Sequence, residues 1–232
     1  MNKMIEVAVF YAMRGEIGES LKGFSQEEEY RPEEWQKGRF GGVIRRGIYR
    51  GREIILAQTG IQAKEVAEFV LSNFSVKRVV IAATCGGIKE ELKTGDLVVC
   101  SPVCSEGKPP LFPDPKLCAL AIETLREGKA RFCVGNNLSI TFYASIEEKN
   151  ELTKKHPETV VVQGEDYFIT SVANSKRVPW VAVRVVDDTR NEVTIWPPEE
   201  RNEKEQLRVE GQYRRITTIL RDEFLLPFLR KL

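Results

Sequence analysis

Val79–Cys100 reads VVIAATCGGIKEELKTGDLVVC. The apolar run Val79-Val80-Ile81-Ala82-Ala83 stops at Thr84-Cys85-Gly86-Gly87, and a charged stretch with a Thr94-Gly95-Asp96 turn leads to a second apolar run, Leu97 to Val99. A continuous apolar run bounded by glycines predicts a strand buried on both faces, the signature of a sheet covered by helices. Its glycine end is where backbone can come close to a ligand.

The flanking segments agree with an α/β fold. Ile5 to Phe10 predicts a buried strand, and Ile17 and Leu21 share the spacing of a short helix after it. Residues 24 to 41, rich in glutamate, predict a polar surface excursion. Val43-Ile44, a turn at 49 to 52 and Ile54-Ile55-Leu56 form a hairpin pattern ending at Thr59-Gly60-Ile61. Val66, Ala67, Val70, Leu71 and Phe74 recur at helical spacing over 62 to 74. Strand, helix, hairpin, helix, strand is the alternation of an α/β domain.

Further along, Gly107 to Pro115 predicts an extended loop, Leu117 to Leu125 a helix and Arg131 to Val134 a strand. Asn136 to Tyr143 reads as a loop carrying adjacent aromatics, Phe142 and Tyr143, on which a planar ligand could stack. Ser145-Ile146-Glu147-Glu148 is a capping box opening a helix to about His156. Thr159 to Val162 is a short strand broken by Gln163-Gly164-Glu165-Asp166 before another helix. Trp180 to Val186 is the most hydrophobic strand and runs into Asp187-Asp188. Residues 190 to 206 are polar, and Ile216 to Phe224 form a closing helix that Pro227 kinks or ends.

Composition bounds the function. Thirty-five lysines and arginines against 34 aspartates and glutamates give no bulk charge for a nucleic-acid partner or a membrane surface. No run approaches the roughly 20 apolar residues of a bilayer span, and the first residues lack the pattern of a signal peptide, so a cytoplasmic protein acting on a small molecule is expected. Five cysteines without a CxxC pair and a single histidine, His156, predict buried free thiols and no metal site. Length and the absence of a linker predict one domain over residues 1–232.

Acids at strand ends carry the chemistry. Glu16 lies just beyond the first strand, where open α/β sheets bind ligands. Asp187 and Asp188 adjoin at the end of a buried strand, where desolvation and mutual repulsion would raise at least one pKa and make a general acid. Glu165-Asp166 at a helix start would ordinarily be read as dipole compensation.

Four pieces together resemble the purine nucleoside phosphorylase and nucleosidase superfamily, most of all its methylthioadenosine/S-adenosylhomocysteine nucleosidase branch. They are VAVFYAMRGEI (7 to 17), LAQTGIQAKEVA (56 to 67), the stretch from Val79 to Val99, and VVVQGEDYFITSVANSKRVPWVAVRVVDD (160 to 188). The resemblance implies a single-domain, three-layer α/β fold with a central mixed twisted sheet between helices. It also implies roles. Glu16 positions and deprotonates a water; Thr84, Cys85 and Gly86 line sugar and base; Ile61 touches the sugar. Phe142 or Tyr143 stacks on the purine, Gly164 and Glu165 adjoin the ribose with Glu165 on its hydroxyls, and Asp188 protonates the leaving base. No cofactor is implied, and relatives form dimers or hexameric rings.

Cleavage of an N-glycosidic bond builds positive charge on ribose and negative charge on the base, which suits an acid at the base and carboxylates at the sugar. A glutamate at the nucleophile repels phosphate and suits water, so hydrolysis is expected over phosphorolysis, although Arg14 keeps phosphate open as a co-substrate. Departures from the family pattern, Gly164 in place of a methionine and Asp187 before the acid, point to an altered 5′ substituent or a modified base. An inactive nucleoside-binding homologue is the remaining alternative, and the joint presence of Glu16, Glu165 and Asp188 argues against it.

Overall fold

A computed structural model describes residues 4–12, 17, 21, 23–31, 41–141, 144–192 and 203–232. Nine strands are named in chain order: β1 (Val7–Tyr11), β2 (Phe24–Tyr30), β3 (Val43–Tyr49), β4 (Arg52–Gln58), β5 (Val79–Gly87), β6 (Leu97–Ser105), β7 (Phe132–Ser139), β8 (Thr159–Gln163) and β9 (Trp180–Asp188). Helices are α1 (Ala63–Asn73), α2 (Pro115–Glu127), α3 (Ile146–Lys155), α4 (Asp166–Ser175), α5 (Glu203–Ile219) and α6 (Leu226–Lys231), with a π-helical segment, Leu220–Leu225, between the last two.

The strands form one mixed sheet in the order β2-β3-β4-β1-β5-β8-β7-β6-β9, and β9 also pairs with β5. That pairing closes β5, β8, β7, β6 and β9 into a circuit, so half of the sheet is an open wing and half is rolled up. β5 lies at the junction, parallel to both β1 and β9. Its burial is the reason it can sit there: all but one of its nine residues are buried.

Side chains alternate between two cores, as the pleat requires. Ala8 and Phe10 of β1 and Val79 and Ile81 of β5 pack with Val66 and Val70 of α1 and Ile169 and Ala173 of α4. Val7, Val9 and Val80 face the opposite way, against Leu117 and Leu125 of α2 and the C-terminal Leu220, Phe224 and Phe228. A central sheet flanked by helices is therefore observed, as expected.

Three segments differ from the sequence expectation. Residues 24 to 30 form edge strand β2, because its glutamates pair with arginines of β3: Arg45 with Glu29 at 3.1 Å and Arg46 with Glu28 at 3.1 Å. β7 extends through Asn136 and Asn137, where a loop was expected, since Asn137 is fully buried and its amide is engaged by Asp166 and Gln163. Pro227 does not end the last helix; it occupies the first turn of α6, where its missing N–H costs little.

Candidate active site

The carboxyl ends of β5, β8 and β9 meet at Gly86. In register, Gly86 pairs with Val162 of β8 on one side and with Asp188 of β9 on the other. Val186 faces Cys85 and Asp188 faces Gly86, so Asp187 is the extra residue of a β-bulge, a device that re-aims the side chain beside it. A Cβ on Gly86 would lie 2.9 Å from Asp188 Oδ1, so glycine is what lets that carboxylate settle against the strand end. Asp187 and Asp188 belong to β9 itself rather than to a turn beyond it.

Asp188 is ion-paired. Lys149 of α3 donates from Nζ to Asp188 Oδ1 at 2.7 Å, with the lysine side chain 2 % exposed and the aspartate 15 %. Asp187 is oriented separately, its carbonyl accepting from Gln212 of α5.

Glu165 directly follows the break after β8 and sits at the N-cap of α4. Gln163 caps this turn in place of Glu165: its Oε1 accepts from the amides of Glu165 and Asp166, while its Nε2 donates to Asn137 Oδ1 (3.1 Å) and Ser139 Oγ (2.6 Å). The Glu165 carboxylate accepts from Arg184 Nη2 at 3.0 Å. Arg184 is 1 % exposed and lies on β9; its other donors reach the Thr84 carbonyl at 2.7 Å and both oxygens of the wholly buried Asp166.

A buried guanidinium needs its charge and its donors answered, and two carboxylates answer this one. Glu165 is the member of this cluster with solvent access, its side chain 21 % exposed.

Of the other expected site residues, Thr84 and Cys85 are buried next to Gly86. The Cys85 thiol donates to the Val185 carbonyl at 3.6 Å, and burial pushes its pKa well up. Gly164 has room for a side chain, with the Ile140 carbonyl 3.7 Å from a would-be Cβ. Ile61 stands 68 % exposed after β4, in a turn tied to the end of β1 by Thr59 N–H to Tyr11 O (2.8 Å) and Gly60 N–H to Ala12 O (2.8 Å). Glu16, Phe142 and Tyr143 lie outside the described residues. Among the described residues no cluster of three or more metal-ligating side chains occurs, and no helix is long and apolar enough to cross a membrane.

Sequence reasoning missed Arg184, Asp166 and Lys149. For Arg184 a signal existed: a lone arginine inside WVAVRVVDD must be buried and therefore paired, although the sequence does not say with which acid. Lys149 gave none, since α3 is polar along its length.

The mixed sheet between helices, with acids just after β8 and at the end of β9, defines an α/β protein with a candidate site at its strand ends. The family model described as the phosphorylase superfamily matches residues 6–221, and the chain belongs to that family. A 5'-methylthioadenosine/S-adenosylhomocysteine nucleosidase of Baumannia cicadellinicola is 26% identical over 180 residues, 69% of this chain and 78% of the relative. The enzyme of the same name from Actinobacillus succinogenes is 26% identical over 170 residues, 63% of this chain and 72% of its own.

Among solved structures, the native futalosine hydrolase of Helicobacter pylori superposes with a TM-score of 0.76 at 21% identity, covering 98% of each chain. The Helicobacter pylori 5'-methylthioadenosine/S-adenosylhomocysteine nucleosidase superposes with a TM-score of 0.78 at 20% identity, covering 98% of this chain and 99% of that one. Both likenesses establish the fold.

Proposed function

We propose that the chain is a nucleosidase that hydrolyses the N-glycosidic bond of a purine or modified-base nucleoside. The observation that carries this reading is the convergence at Gly86. Asp188 sits on one flank of the β5 end, and Glu165 reaches the same end through Arg184 and the Thr84 carbonyl.

In this reading Asp188 gives a proton to the departing base, and the carboxylate of Glu165 accepts from the ribose hydroxyls. Arg184 fixes the rotamer of Glu165 by charge-assisted bonding. Glu16 orients the water that attacks the anomeric carbon, Thr84, Cys85 and Gly86 line base and sugar, and Gly164 and Ile61 border the ribose. One ring of Phe142 and Tyr143 stacks on the base. The active form is a homo-oligomer, a dimer or a hexamer. The names carried by the relatives and by the structural neighbours support a nucleoside substrate and hydrolysis as the reaction.

The test is a panel of adenosine, methylthioadenosine, S-adenosylhomocysteine, inosine and futalosine, each with and without inorganic phosphate. Free base with free sugar in the absence of phosphate supports the reading. Sugar phosphate formed only in its presence makes the chain a phosphorylase, and tight binding without base release makes it a binding protein.

A further inference from the structure

Lys149 is the one fully buried lysine among the described residues. It sits in the first turns of α3, whose start is fixed by reciprocal bonds of the Ser145–Glu148 capping box. Its three ammonium protons go to Asp188 Oδ1 (2.7 Å), the Thr189 carbonyl (2.9 Å) and the Glu192 carbonyl (3.1 Å). Its Cε lies 3.5 Å from the position of a Cβ on Gly86, so the same glycine admits both members of the pair.

Burying an ammonium is costly, and bracing the 189 to 192 turn requires only neutral donors to two carbonyls. The charge itself is directed at one carboxylate, and that carboxylate is the one assigned to proton transfer. Arg190, two residues beyond Asp188, binds Asn150 at 2.7 Å and Glu90 at 2.9 Å instead.

We propose that Lys149 is a positioning residue that strengthens Asp188 as the acid for the leaving base; this rests on the acid role given to Asp188 above. The ion pair seen here is the form the acid reaches once its proton has been given away; in the reacting form Oδ1 still accepts from Lys149 and the other oxygen carries the proton. As the bond from the anomeric carbon to the base nitrogen breaks, both bonding electrons leave with the base. The base takes the carboxyl proton, and Asp188 becomes a carboxylate beside a cation already in place. Water adds its oxygen to the anomeric carbon and loses a proton to solvent, and after the products leave Asp188 takes up one proton from solvent, which closes the balance. The attraction between ammonium and carboxylate is greater at the transition state than before it, so it acts on turnover rather than on substrate binding.

The experiment compares wild type, Lys149→Met, Lys149→Gln and Asp188→Asn on two substrates: the nucleoside that wild type cleaves best, and a para-nitrophenyl riboside whose leaving group needs no proton. Lys149→Gln retains donors for the two carbonyls without the charge. Both lysine variants should lose about 100-fold in kcat on the nucleoside with KM within about threefold, and keep near wild-type rates on the nitrophenyl riboside. Equal losses on both substrates would make Lys149 a structural brace and overturn the inference, as would undiminished nucleoside turnover in Lys149→Gln. If Asp188→Asn also turns over the nucleoside normally, the acid assignment itself falls. If Asp188→Asn is inactive while the lysine variants are normal, only the role of Lys149 falls.

Discussion

Replacing Gly86 by alanine perturbs the centre of the site with a single carbon. The added Cβ would stand 2.9 Å from Asp188 Oδ1, 3.3 Å from Val162 Cγ2 and 3.5 Å from Lys149 Cε. The first distance is shorter than real Cβ atoms tolerate, and the carboxylate is anchored to a buried lysine, so it cannot swing away without breaking a 2.7 Å ion pair. Overpacking of this kind costs about 1–3 kcal/mol. At about 2–4 °C per kcal/mol for a chain of this size, the melting temperature should fall by about 2–12 °C. Activity should fall further than stability implies, because a displacement approaching 1 Å in a catalytic group can cost about 100-fold. Gly87→Ala is the control. Its Cβ would meet Val186 Cγ1 at 3.2 Å and Leu92 Cδ1 at 3.3 Å and stand in ordinary contact with the Asp188 carbonyl at 3.5 Å, crowding the core rather than the carboxylate. Thermal melts and initial rates of base release on both variants decide the matter. Comparable kcat in Gly86→Ala and Gly87→Ala would refute the view that Gly86 is glycine for the sake of Asp188.

Removing the buried cation by Arg184→Met leaves Asp166 without its principal partner and should destabilise the fold by about 3–5 kcal/mol in chemical denaturation, with Arg184→Met/Asp166→Asn recovering part of the loss. Burial holds the Cys85 and Cys100 thiols well above their ordinary pKa, so both should resist a thiol reagent at pH 8 in the native protein and react on unfolding, as mass spectrometry of the labelled protein would read. The Lys77 ammonium, with Arg78, holds the Glu6 carboxyl below its ordinary 4.5. Its stabilising contribution is therefore complete above that value and lost as pH falls through the folded-state pKa; Glu6→Gln should narrow the stability gap to wild type on acidification below pH 4.5, and a gap that widens there would contradict the pairing.

What was legible in the sequence follows from how each signal arises. β5, β9 and α1 announce themselves because both faces of a strand, or one stripe of a helix, must be apolar to be buried. β2 hides because an edge strand needs no apolar face, and its glutamates are matched by arginines one strand away, a pairing no local pattern reveals. β7 hides for a related reason: Asn137 resembles a loop residue until Asp166 and Gln163 are seen to satisfy its amide inside the core.

At the site, the strand-end position of Asp188 and its nearness to Gly86 could be anticipated from the apolar runs and the family likeness. The cations that hold the acids could not be placed in the same way. Arg184 and Lys149 reach their partners across 19 and 39 residues of chain, and only the closed circuit of strands brings those segments together.

Base release by wild type and Asp188→Asn in phosphate-free buffer tests the central claim most directly. Wild type should liberate base and free sugar in equal amounts, and the variant, assayed below its own melting temperature because it loses the carboxylate paired with buried Lys149, should liberate base more slowly by at least about 100-fold. Equal rates in the two proteins, or no base from wild type unless phosphate is added, would contradict it.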